Sequence, residues 1–91
     1  MNLERDSARG EQARRLLSDP LLIEAFEAVE GNLRAAWIAT GEGQDRERER
    51  LWLMVKLLGR LKAHLTGVLE TGKLADRQLA ALEERQTTRG D

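Results

Sequence analysis

The sequence predicts an all-α protein, in which an antiparallel helical hairpin carries short flanking helices and associates into an oligomer. Helix-forming Leu, Ala, Arg and Glu dominate the 91 residues, whereas aromatic residues make up only 3%. Apolar residues recur at steps of three and four over two long stretches, which is the spacing of one helical face. A Gly-containing loop at residues 41–44 separates these stretches, and so short a loop between two long helices favours antiparallel packing.

The chain is organised around residues 51–69, its longest apolar helical stretch. The apolar side chains there follow a period of about 3.5 residues, the spacing of a coiled-coil contact. Leu53, Val55, Leu57 and Leu69 widen this apolar face, which therefore needs partners on more than one side. The predicted packing and oligomer seam consists of Leu51, Met54, Leu58, Leu61, Leu65 and Val68 on this stretch and of Leu22, Phe26, Val29, Leu33 and Trp37 on the facing helix.

The N-terminal part is predicted to contain one short helix. Residues 1–10 are polar and end in glycine, so we expect them to be frayed. The short helix should run from Glu11 to about Ser18. Asp19 is a suitable N-cap for the next helix, and Pro20 fits the first helical position because no N–H group is needed there.

The two long helices of the hairpin are predicted over about 20–40 and 45–71. Gly31 lies inside the first of them, where we expect it to permit the close approach of a neighbouring helix. Gly41 is placed to end the first helix in the left-handed conformation, and Gly72 to end the second.

The C-terminal part is predicted to form a third, short helix. Asp76 can cap this helix, which should run to about Gln86 and be followed by a loose tail over 87–91. We therefore predict a single helical domain over 1–91, with frayed termini at about 1–10 and 87–91.

Charge is distributed unevenly, although the formal net charge is only −1. Residues 20–45 carry five carboxylates and one arginine, net −4, whereas residues 46–73 carry seven cationic side chains and three carboxylates, net +4. Segments of opposite sign suit an antiparallel pair. The absence of cysteine fits a reducing compartment, and the sequence shows neither a signal peptide nor a membrane-spanning apolar run. We therefore expect a location in the cytoplasm, without membrane contact.

The residue pattern predicts no catalysis, no metal and no cofactor. A catalytic histidine needs a nucleophile or carboxylate placed around it, and His64 lies in no such motif, so we interpret it as a boundary or interface residue. Glu24, Glu27 and Glu30 form an acidic stripe. A di-iron helix pair would need a Glu three residues before His64, where Leu61 stands. The sequence thus predicts a protein that is not an enzyme.

The sequence leaves nucleic-acid binding as an alternative function. Four cationic residues of the second long helix are candidate phosphate contacts, namely Arg50, Lys56, Arg60 and Lys62. No helix-turn-helix pattern, zinc knuckle or aromatic stacking platform accompanies them. A phosphate-binding surface would therefore need several copies of the chain in one assembly, each contributing a weakly binding basic patch.

Two stretches that together cover most of residues 16–75 carry a family resemblance. The first reads Leu-Leu-Ser-Asp-Pro-Leu-Leu-Ile-Glu-Ala-Phe-Glu over 16–27 and is followed by Ala-Trp at 36–37. The second begins Glu-Arg-Leu-Trp-Leu at 49–53, continues to residue 65, and ends with Glu-Thr-Gly-Lys-Leu-Ala at 70–75. These stretches resemble a family of small uncharacterised helical proteins of tailed phages and prophages of proteobacteria, encoded near head and DNA-packaging genes. The resemblance implies a phage context and assigns no functional residue.

The expected function is that of a non-enzymatic phage or prophage assembly protein, acting through helix–helix oligomerisation and contacts with other phage proteins. Its expected location is the cytoplasm of the bacterial host or the virion. Two alternatives remain open. One is a DNA-binding packaging component, similar in role to a small terminase subunit. The other is a small adaptor or inhibitor that binds a host protein.

Overall fold

The computed structural model describes residues 2–89, with side chains for residues 2–86. Three helices account for most of the chain: α1 over Leu3–Ser18, α2 over Pro20–Ile38 and α3 over Asp45–Arg89. Residues 2–89 contain no strand. The predicted all-α class is therefore confirmed, but the boundaries of the first and last helices differ from the prediction.

Helix α1 begins near the N-terminus, so the predicted fraying of residues 1–10 is wrong for the described part. Asn2 caps the helix, because its side-chain oxygen accepts a hydrogen bond from Arg5 N at 2.9 Å and its carbonyl oxygen accepts one from Asp6 N at 3.0 Å. Glu4 and Asp6 add negative charge to the first turn, where the helix dipole favours it. These interactions order residues that look merely polar in the sequence.

Helix α2 begins as the sequence predicts. Asp19 is its N-cap, and one carboxylate oxygen accepts hydrogen bonds from Leu21 N at 2.8 Å and from Leu22 N at 3.2 Å. Pro20 occupies the first helical position. The loop after α2 differs from the prediction: among the described residues only Gly43 has a positive φ, 85°, so Gly41 is not the left-handed residue.

Helix α3 is continuous over 45 residues, so the predicted helix end at Gly72 and the separate third helix are both wrong. Gly72 is buried and packs against Gly10 of α1, which gives this glycine a role inside a helix. Asp76 does not cap a helix; its carboxylate accepts a hydrogen bond from the Ser7 hydroxyl. The predicted loose tail is helical through residue 89, and residues 90–91 lie outside the described part.

Contacts group the chain into two compact units. One unit consists of residues 18–64, and the other of residues 1–17 together with 65–91. Buried apolar side chains are few: Phe26 and Leu51 in the first unit, and Ala13 and Ala75 in the second. Each unit therefore has a very small core of its own. The prediction of a single domain stays a prediction.

Candidate interaction site

Within residues 18–64, side-chain contacts join α2 to the first part of α3. The Lys62 ammonium lies 3.9 Å from the Glu30 carboxylate and 5.5 Å from the centre of the Phe26 ring. At the other end, the Arg48 guanidinium lies 4.0 Å from the centre of the Trp37 ring. Trp37, late in α2, thus contacts a residue early in α3, whereas Phe26 and Glu30 contact a residue further along α3. The antiparallel hairpin stays a prediction.

Some members of the predicted seam pack inside the chain, and the others lie on its exposed surface. Phe26 and Leu51 are buried, and three further members, Leu22, Leu33 and Leu58, are half-buried. Leu65 and Val68 are half-buried in the other unit. The remaining seam members are exposed, namely Val29, Trp37, Met54 and Leu61. Only part of the predicted seam is therefore available to another molecule.

A second apolar surface lies on α3, and its residues are not members of the predicted seam. It forms an open groove of about 780 Å³, which we call the α3 groove. The groove is lined by Trp52, Leu53, Val55, Lys56, Leu57, Gly59, Arg60 and Ala63. Leu57 is 62% exposed and Trp52 is 54% exposed, so two of the largest apolar side chains of α3 face solvent. Such a contiguous apolar patch marks an interaction surface more often than scattered single residues do.

Gly59 lies in the middle of this groove and makes no close packing contact with the part of the chain that the structure describes. A Cβ atom built on Gly59 meets no heavy atom within 4 Å outside its own helix backbone and neighbours. Glycine inside a helix is about 1 kcal/mol less favourable than alanine. Gly31 likewise has open space, so the predicted close approach of a helix at Gly31 is not found among the described residues.

The four candidate phosphate contacts do not lie on one face. A helix advances about 100° per residue, which places Lys62 about 160° around the axis from Arg60. Lys62 pairs with Glu30 of α2, and Arg50 lies 3.9 Å from Glu47 of its own helix. Lys56 and Arg60 line the α3 groove, with the Lys56 ammonium 5.2 Å from the centre of the Trp52 ring.

A second, smaller depression joins α2 to the α3 groove. It is lined by Glu30, Leu33, Arg34, Trp37, Leu51, Trp52 and Val55. Trp52 and Val55 line both surfaces, so the groove continues toward the side of α2 that carries Glu30. Glu27 lies one turn before Glu30 and is exposed, as is Glu24. Of these three carboxylates, only Glu30 lines the smaller depression, and none lines the α3 groove.

Glu11 forms ion pairs with the two adjacent arginines of α1. Its carboxylate lies 2.6 Å from Arg14 and 3.7 Å from Arg15. The hydrogen bond from the Arg14 guanidinium is the main cause that lowers the pKa of Glu11, and the same bond raises the pKa of Arg14. This single carboxylate offsets one of the two positive charges of the arginine pair.

The remaining candidates from the sequence are His64 and the three carboxylates of the acidic stripe. His64 is exposed on α3, and of the acidic stripe Glu24 and Glu27 are exposed whereas Glu30 is half-buried. The described residues contain no group of three or more His, Cys, Asp or Glu side chains that could hold a metal ion. Within the part of the chain that the structure describes, no helix is both long and apolar enough to cross a membrane.

Sequence reasoning missed the contact between α1 and the C-terminal part of α3. Gly10 and Gly72 bring the two backbones so close that a Cβ atom on Gly72 would lie 2.5 Å from Gly10 Cα and 3.0 Å from the Asp6 carbonyl oxygen. Ala13 and Ala75 are buried beside them. The available signal was the matching Gly-x-x-Ala spacing in two distant segments, residues 10–13 and 72–75.

No protein-family model, curated protein or solved structure matches this chain. The phage context implied by the sequence resemblance therefore stays a prediction.

Proposed function

We propose that this protein is a non-enzymatic assembly component that works by helix–helix association with other copies of itself. The observation that carries this proposal is the imbalance between buried and exposed apolar side chains. In residues 18–64, two large apolar side chains are buried, whereas eleven are exposed. Burial of such side chains is the main favourable term in both folding and association, so this unit gains most by binding another apolar surface.

The setting that we propose is the one implied by the sequence resemblance, a tailed phage or prophage. In that setting the protein would act in the host cytoplasm or in the particle, beside other head or packaging proteins. Its role would be structural, because the described surfaces offer apolar helix faces.

Light scattering on a sizing column tests the proposal directly. We expect a mass of at least twice 10.3 kDa at micromolar concentration, with a mass that falls only on strong dilution. A mass of 10.3 kDa at every concentration would contradict self-association. It would instead favour the adaptor or inhibitor alternative, in which the apolar surface binds a different protein.

DNA binding is the second candidate, and it rests on Lys56 and Arg60, which lie one helical turn apart on the open α3 groove. Two phosphate contacts per chain correspond to a slope of about −1.8 in a plot of log affinity against log salt concentration. A DNA titration at several salt concentrations measures this slope. No binding at low salt would exclude this candidate while leaving self-association intact.

A further inference from the structure

We draw no further inference here: the strongest candidate, the open apolar groove of α3 around Trp52, Leu57 and Gly59, carries none because nothing in the structure shows what covers it.

Discussion

At the scale of single residues, the mid-helix glycines of this chain fall into two physically different groups. Gly10 and Gly72 lie in a contact where any side chain would collide with backbone atoms. Gly31, Gly59 and Gly67 have open space around the position of a Cβ atom. Packing within the chain requires glycine at the first two positions. At the other three positions, glycine lowers helix stability, and no contact among the described residues explains its presence.

This difference predicts opposite effects for one substitution. Gly72→Ala would place a Cβ atom 2.5 Å from Gly10 Cα, so α1 must move away, and we expect a loss of about 1–3 kcal/mol in unfolding free energy. Gly31→Ala should increase this free energy by up to about 1 kcal/mol, because alanine is the better helix former. Urea unfolding followed by circular dichroism measures both. A Gly72→Ala variant as stable as Gly31→Ala would show that the close contact is absent in solution.

At the scale of helices, the sequence predicts those features that depend on near neighbours in the chain. The start of α2 follows from Asp19 and Pro20, because a cap acts within one turn of the helix. The start of α3 at Asp45 follows from the loop before it. The position of Gly72 inside a continuous helix could not be predicted from near neighbours, because its contact partner Gly10 lies 62 positions earlier in the sequence. Local rules therefore assigned a helix end where a tertiary contact keeps the helix intact.

The Asp19 cap provides a test at this scale. Asp19→Ala removes the acceptor of the hydrogen bonds from Leu21 N and Leu22 N, so we expect a loss of about 0.5–2 kcal/mol in unfolding free energy. Asp19→Asn keeps a side-chain oxygen at the same place and should lose markedly less. Urea unfolding of the two variants measures the difference. Equal losses would mean that the charge of Asp19, and not its hydrogen bonds, stabilises the start of α2.

At the scale of the whole molecule, the sequence predicts a surplus of apolar surface but not where it lies. Leu53 and Leu57 already indicate that the apolar face of α3 is too wide for one partner helix. Which side stays open depends on how α2 docks, and the contacts of Lys62 with Phe26 and Glu30 fix that side. The same contacts explain why the four cationic residues, although close in sequence, do not form a single phosphate-binding face.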